Sequence, residues 1–230
     1  MVARRDDALN RALALEVATG QVDDAIRTMT THTFAVAEGA NLNVVEHWTE
    51  AHILRAQTEI RTHRYKEALA DLEAAATIPA NLPIGIFGGA NANARDTELA
   101  YWTGVAYEGA GDTRKAAESW KRALAPPSRM ADSRSAQAYY QGLAFQKLGQ
   151  PEKAQALFQG LLQSARTELQ QPPPPAGGRA GRARAANAHY LAGLGYLGLR
   201  DREHAKAELT QAVQISPDLV GARTALASLP

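Results

Sequence analysis

The most regular feature of the chain is a spacing of small and apolar residues that recurs along its length. A small residue is followed 12 positions later by Ala, then 4 later by a bulky apolar residue and 3 later by another small or apolar one. The clear copies are Gly193/Ala205/Leu209/Ala212, Gly104/Ala116/Trp120/Ala123, Gly142/Ala154/Phe158/Leu161 and Ala56/Ala68/Leu72/Ala75, with a reduced first copy at Ala25 and Met29. Such repetition predicts a two-helix unit that buries its apolar face against its neighbours.

Short turns separate the two predicted helices of each unit. They are Thr19–Gln21, Thr62–Arg64, Gly109–Asp112, Leu148–Pro151 and Gly198–Asp201. Glycine can adopt the left-handed conformation that ends a helix, Asp112 and Asp201 can cap the next helix, and Pro151 suits a first helical turn. We therefore predict an all-α fold, an α-solenoid of about five helix pairs with extended loops between repeats. A capping helix is expected within Ser216–Leu229.

The repeat frame predicts a single α-solenoid domain over residues 1–230. Its repeats lie at roughly 6–39, 49–82, 97–130, 135–168 and 186–219. The motif alanines lie 38 to 51 residues apart, whereas a bare unit needs only about 34. Extra residues are therefore predicted at Ala35–His47, Pro79–Arg95, Pro126–Ser133 and Gln170–Ala186. Within the last of these, the Pro-, Gly- and Arg-rich stretch 171–184 predicts a solvated linker, with a basic contact to an acidic partner as the alternative.

Three copies of the motif carry further signature positions of a known repeat. Gly193/Tyr196/Ala205/Ala212/Pro217, Gly104/Tyr107/Ala116/Ala123 and Gly142/Phe145/Ala154 resemble the tetratricopeptide repeat (TPR). The resemblance implies a non-catalytic scaffold that binds a protein or peptide through a concave groove.

A narrower resemblance leads to an alternative function. Pro79–Pro83, Tyr101–Gly104, Trp120 and His189–Leu199 are similar to the C-terminal helical region of a large bacterial family. Its members carry an N-terminal β-sandwich that resembles sugar mutarotases. The chain would then be the helical accessory region of a carbohydrate-active protein whose catalytic domain is absent from this chain. The stretch Pro172–Arg184 departs from that family, where a longer insert with aromatic residues is expected.

Candidate ligand contacts come from equivalent positions of three successive first helices. The candidates are Tyr101, Tyr139 and Tyr190, with Val105, Leu143 and Leu194 one turn further on. Equivalent positions line up along the inner groove of a helical stack, and Tyr combines an apolar ring with a hydroxyl group. The alternative is that these tyrosines pack on neighbouring helices.

Some TPR proteins hold a peptide carboxylate with a basic clamp. The matching positions here are Asn10, Ala14, Glu98, Trp102, Ala136 and Tyr140, none of which is basic. We therefore expect binding in the groove to depend little on salt.

The sequence offers no strong catalytic or metal-binding pattern. It has no Cys, which excludes disulfides and thiolate ligands. His47 and His52 are five residues apart and so point to different faces of a helix. Glu46 and Glu50 share a helix face, although solvated charge is the commoner meaning of such a pair. Gly85–Ala90 lacks the Lys-Ser/Thr ending of a phosphate loop. We predict no catalytic residue, cofactor or metal.

Charge and hydropathy narrow the choice of partner. The formal net charge of the 230 residues is +1, which argues against nucleic acid as a partner. No apolar stretch approaches the roughly 20 residues of a membrane-spanning helix, and no apolar signal-peptide segment follows the two basic residues near Met1. A cytoplasmic location is therefore expected. The first predicted helix, around Asn10–Leu15, has no preceding helix to cover it, so we expect exposed apolar surface and self-association at that end.

Overall fold

The computed structural model describes residues 6–34, 44–82, 95–125, 135–171 and 178–229, and every regular element in these ranges is an α-helix. The helices are α1 (Asp6–Ala18), α2 (Val22–Thr31), α3 (Val44–Arg61), α4 (Tyr65–Ala76), α5 (Asp96–Gly109), α6 (Thr113–Ala123), α7 (Ala136–Lys147), α8 (Pro151–Gln170), α9 (Arg179–Gly198), α10 (Arg202–Ile215) and α11 (Val220–Ala227). The predicted all-α fold is confirmed, as five helix pairs followed by one further helix.

The contacts between helices define two compact units, Met1–Arg122 and Ala123–Pro230, here called unit 1 and unit 2. In unit 1, consecutive helices from α1 to α5 pack on each other, and α3 also contacts α1 and α5. In unit 2, consecutive helices from α7 to α11 pack in the same way, and α9 also contacts α7 and α11. Each unit therefore joins its helices as a row of antiparallel pairs, in which the first helices of neighbouring pairs also touch.

The turn inside every pair contains one residue in the left-handed conformation. These residues are Gly20, His63, Gly111, Gly149 and Arg200, with φ between 61° and 84°. The following residue's N–H returns to a carbonyl five positions earlier, as in Asp201 N to Tyr196 O at 2.9 Å. This hydrogen bond satisfies a carbonyl group that the end of the helix leaves unpaired.

The helix starts predicted at these turns are confirmed. Asp112 Oδ1 accepts from the N–H of Lys115 at 3.0 Å, and Asp201 Oδ1 accepts from the N–H of His204 at 3.2 Å. Pro151 is the first residue of α8. At the far end, α11 begins only at Val220, after the turn at residues 217 and 218.

A glycine on the first helix of a pair faces a bulky side chain 16 residues later on the second helix. A Cβ atom on Gly104 would lie 2.3 Å from Trp120 Nε1, and one on Gly193 would lie 2.6 Å from Leu209 Cγ. Real Cβ atoms do not approach that closely, so the two helices meet at a distance that only glycine permits. Trp120 and Leu209 are buried, which makes these contacts part of the core.

Phe158 is held on two sides in this way. A Cβ atom on Gly142 of α7 would lie 2.3 Å from Phe158 Cε1, and one on Gly198 of α9 would lie 2.3 Å from Phe158 Cδ1. The ring is 1% exposed. Phe158 therefore fixes α8 between its two neighbouring helices, and the ring has little room to move towards either of them.

Most residues of the four predicted inserts lie outside the described ranges, and so does Gly85–Ala90. In the insert Pro79–Arg95, the described residues just after α4 contact the end of α2 within unit 1. The Asn81 side-chain amide donates to the carbonyls of Met29 and His32 at 2.8 Å each, and Leu82 is buried. The turn after α4 thereby satisfies carbonyl groups at the end of α2.

The linker predicted over residues 171–184 is wrong for its C-terminal part. Residues 179–184 form the start of α9, with Gly178 as the residue before the helix. Ala and Arg favour helix strongly enough to outweigh the single Gly181 inside this segment. Arg184 also holds the helix to α8, since its Nε lies 3.1 Å from Glu168 Oε1 and its Nη2 donates to the Gln171 carbonyl at 3.3 Å.

A polar cluster around the buried Asp71 joins three helices of unit 1. Arg55 on α3 donates from Nε and Nη2 to the two carboxylate oxygens of Asp71 on α4, at 2.7 and 2.6 Å, and from Nη1 to Asp23 on α2 at 2.9 Å. His52 Nδ1 lies 2.7 Å from Asp71 Oδ1. Burial alone would raise the pKa of Asp71, but the hydrogen bonds from His52 and Arg55 outweigh it and lower this pKa to about 2.

Glu59, which is 6% exposed, is the member of the cluster whose ionised form destabilises the native state. Its Oε2 atom has no hydrogen-bond partner, and burial together with the charge of Asp71 raises its pKa to about 7. The native state therefore favours the protonated Glu59. Because the unfolded chain loses this proton at a lower pH, Glu59 must reduce stability as the pH rises through this range.

The packing of Phe158 gives a first prediction. Gly142→Ala should destabilise unit 2 by about 1–3 kcal/mol, because the ring cannot move away from the new methyl group. Gly160→Ala is the matched control, since Gly160 lies inside α8 with open space around its Cα. This change should stabilise the protein by up to about 1 kcal/mol through helix propensity. Urea unfolding of both variants would test the packing, and equal stabilisation by both would contradict it.

The polar cluster gives a second prediction. The unfolding free energy of the wild-type protein should fall between pH 4.5 and 7 relative to that of Glu59→Gln, which cannot lose a proton. The exposed Glu67→Gln variant is the control and should keep the wild-type profile. Thermal melts across this pH range would decide, and parallel profiles for wild type and Glu59→Gln would show that folding does not raise the pKa of Glu59.

Candidate functional site

The two predicted contacts in unit 1 lie on α5. Tyr101 is 9% exposed, and its ring meets the Trp102 ring edge-on with 5.2 Å between centroids. Val105, one turn further on, is half-buried. Tyr101 is therefore largely a packing residue in this unit, and Val105 offers more surface to a ligand.

The four predicted contacts in unit 2 differ in how much of each side chain reaches the surface. Leu194 is 2% exposed and belongs to the core, while Leu143 and Tyr190 are half-buried against that core. Tyr190 packs α9 on α11, because its hydroxyl oxygen would lie 2.7 Å from a Cβ atom on Gly221. Tyr139 is also half-buried, with its ring centroid 5.9 Å from that of Phe158.

One face of Tyr139 borders an open cleft of about 500 Å³ in unit 2. The cleft is lined by Tyr139, Leu197, Arg200, Arg202, Ser228 and Leu229. These residues come from α7, the end of α9, the following turn, the start of α10 and the residues just after α11. The cleft therefore borders α7 and the end of α9, and Tyr139 is the one predicted contact among its lining residues.

The cleft combines apolar walls with positive charge. Arg200 and Arg202 are exposed, and neither guanidinium forms a hydrogen bond or ion pair with any other described residue. Burial raises the pKa of Tyr139 to about 12. The arrangement can accept a ligand with both an apolar and an anionic part.

The repeat frame identified Tyr139 but missed the other lining residues. The frame compares positions within first helices, whereas Arg200 and Arg202 lie in the turn and at the start of the second helix. The positions that match the basic clamp of some TPR proteins contain no basic residue in this chain. Two arginines nevertheless line the same cleft as Tyr139. Two basic residues flanking the cap residue Asp201 are the sequence signal that could have found them.

Three other candidates for chemistry, Glu50, His52 and Asp71, make structural contacts. Glu50 binds the guanidinium of Arg95, which also pairs with Glu98 at 2.7 Å. His52 and Asp71, which resemble a catalytic pair, are 3% and 5% exposed and so closed to a substrate. The described residues contain no group of His, Cys, Asp and Glu side chains suited to a metal ion. Among the described helices, none is both long and apolar enough to cross a membrane.

Comparison with known proteins identifies the repeat. The family model of the tetratricopeptide repeat matches residues 186–219, the bounds predicted for the fifth repeat. The chain is also similar to YrrB, described as a TPR protein with an unusual peptide-binding site, at 17% identity and a TM-score of 0.34, with 95% of this chain and 90% of that chain covered. A second similar structure is the Cut9–Hcn1 hetero-tetramer of the APC/C, at 17% identity and a TM-score of 0.28, with 98% of this chain and 43% of that chain covered.

The packing inside the matched segment recurs in earlier helix pairs. Gly193 faces Leu209 within 186–219, and Gly142 faces Phe158 and Gly104 faces Trp120 at the same separation. The left-handed residue of each turn and the antiparallel pairing recur as well. Residues 186–219 therefore match the tetratricopeptide repeat, and the helix pairs at Gly104 and Gly142 share the packing of that matched segment.

Proposed function

We propose that the protein is a non-catalytic scaffold that binds a protein or peptide, and that the cleft beside Tyr139 is its binding surface in unit 2. The observation that supports this proposal is an open cleft with an aromatic ring and two leucines on its walls. Its volume of about 500 Å³ falls in the range of sites that accept a few side chains. A peptide of matching shape could place an apolar side chain against Tyr139, Leu197 and Leu229.

The other predicted contacts take supporting roles in this proposal. Tyr190 and Leu194 hold α9 against its neighbours, and Leu143 packs on the same core as Tyr139. They fix the position of the Tyr139 ring, so that the cleft exists before a ligand arrives. A preformed site loses less conformational entropy on binding. Tyr101 and Val105 are kept as candidate contacts of unit 1.

We also propose that the N-terminal end of unit 1 mediates self-association. Leu15 on α1 is a large apolar side chain that is 63% exposed, whereas Leu13 and Val17 on the same helix are buried. In a helical row the outer face of the first helix is uncovered unless a polar surface or a partner protects it.

Filling the cleft should abolish peptide binding. Peptides selected from a random library on the intact protein would be titrated by calorimetry against wild type and Ser228→Trp, whose indole ring should occupy the cleft. Affinity should fall about tenfold or more, while circular dichroism stays unchanged because Ser228 is exposed. Thr167→Trp is the control, since Thr167 is an exposed residue of α8 outside the cleft lining. Unchanged affinity of Ser228→Trp would place the site elsewhere, and displacement of the peptides by oligosaccharides would favour the carbohydrate-related alternative.

Changing Leu15 should alter the oligomeric state. Leu15→Glu puts a charge on the proposed contact surface, so it should shift the protein towards monomer in sedimentation velocity at high concentration. The control is Leu169→Glu, because Leu169 is the other large apolar side chain that is exposed among the described residues, at 41%. Association that survives in Leu15→Glu, or a wild-type protein that is already monomeric, would contradict this proposal.

A further inference from the structure

Two positive charges at the cleft have no hydrogen-bond or ion-pair partner among the residues that the structure describes. Asp201 lies between Arg200 and Arg202 in the sequence, and its carboxylate is engaged elsewhere. Asp201 Oδ1 accepts from the His204 N–H at 3.2 Å, and its Oδ2 lies 2.8 Å from His204 Nδ1. Asp201 therefore caps α10, and neither Asp201 nor the other adjacent carboxylate, Glu203, forms an ion pair with Arg200 or Arg202 within the described part of the chain.

The backbone of Arg200 is fixed in an unusual conformation. Its φ is 64°, a region that costs a residue with a side chain roughly 1 kcal/mol. The corresponding turn position is Gly20, Gly111 or Gly149 in three other pairs. Arg200 therefore occupies a position whose backbone conformation glycine adopts at lower free energy. Its N–H donates to the Leu197 carbonyl at 3.0 Å. The turn thus holds Arg200 next to Leu197, another residue of the cleft.

The serine hydroxyl of the cleft is already used within the protein. Ser228 donates its O–H to the Ala225 carbonyl at 2.7 Å, so it has no proton left for a ligand. Tyr139 on α7 is half-buried and lines the cleft. A carboxylate in the cleft could therefore receive charge-assisted hydrogen bonds from the two guanidinium groups.

We propose that the cleft selects an acidic peptide segment, in which a carboxylate binds Arg200 and Arg202 while a neighbouring apolar side chain packs against Leu197 and Leu229. The inference rests on the proposed peptide-binding function and names the class of peptide. Charge-assisted hydrogen bonds to guanidinium give both affinity and geometric selectivity. The apolar walls favour a peptide over a bare anion, because a bare anion would leave them in water.

The test compares acidic peptides with neutral counterparts on variants that keep the fold. The probes are amidated peptides that alternate leucine and glutamate, the same peptides with glutamine for glutamate, and a neutral peptide with a free terminal carboxylate. Arg200→Gly is the informative variant, since glycine suits a positive φ and should not destabilise the turn. Arg202→Gln removes the second charge, and Arg166→Gln, an exposed site on α8 outside the cleft lining, is the matched control.

We expect the glutamate peptide to bind the wild-type protein and the glutamine peptide to bind roughly tenfold or more weakly. Arg200→Gly and Arg202→Gln should each remove most of that difference, while Arg166→Gln keeps it. Affinity for the glutamate peptide should also fall as salt is raised. This differs from the weak salt dependence expected from the clamp positions, because Arg200 and Arg202 lie outside those positions. Tighter binding of the neutral peptide with a free carboxylate would assign the recognised group to a chain terminus, and would still support carboxylate recognition by the arginines.

Two outcomes would overturn the inference in different ways. If library-selected peptides bind in the cleft but show no acidic preference, and Arg200→Gly binds them as wild type does, acid selectivity is wrong and peptide binding stands. If Ser228→Trp leaves all peptide binding unchanged, the cleft is not the site and both proposals fail. A single-stranded oligonucleotide that binds these arginines more tightly than any acidic peptide would also overturn acid-peptide selectivity.

Discussion

The close approach of helices at a glycine opposite a bulky side chain is the constraint on which each unit depends. Phe158 shows it most clearly, because Gly142 of α7 and Gly198 of α9 both lie against the Cδ1 and Cε1 atoms of one buried ring. A single side chain thereby sets the distance of α8 from both α7 and α9. The same relation between Gly104 and Trp120, and between Gly193 and Leu209, means that the helix pairs share one packing rule with different side chains. Interiors packed this tightly transmit a change of one methyl group to neighbouring elements.

This constraint explains which parts of the fold the sequence could predict. Glycine and alanine are required where backbones meet, so their spacing along the chain is visible without a structure. Cap residues such as Asp112 and Asp201 are equally visible, because the chemistry of a helix start is local. The segment 179–184 was predicted wrongly because Gly and Pro nearby suggested a linker, whereas packing on α8 and the propensity of Ala and Arg decide in favour of helix. The polar cluster around Asp71 could not be predicted, since its members come from three helices.

The candidate site was predictable only in part, because most of its lining residues lie outside the positions that the repeat defines. Tyr139 occupies a position that the repeat frame defines, and it does line the cleft. Arg200, Arg202 and Leu229 lie in turns and at helix ends, and their meeting depends on how α7, the α9–α10 turn and the end of α11 come together. Leu194 occupies the same frame position as Leu143 but is buried more deeply. Equivalent positions in a repeat therefore share a helix face without sharing exposure, because each is covered by a different neighbour.

The turns show where such a repeat can change its chemistry at little cost to its core. Replacing Gly142 or Gly198 would displace a ring that two helices share, whereas the left-handed turn position accepts Gly149, His63 or Arg200 with the same backbone hydrogen bonds. The difference in free energy between glycine and another residue there is about 1 kcal/mol, which the core of a helix pair can offset. A charged residue at that position stands at the edge of the surface formed by the first helices. Selection for a new ligand can therefore act on the turn while the glycine positions keep the helices in place.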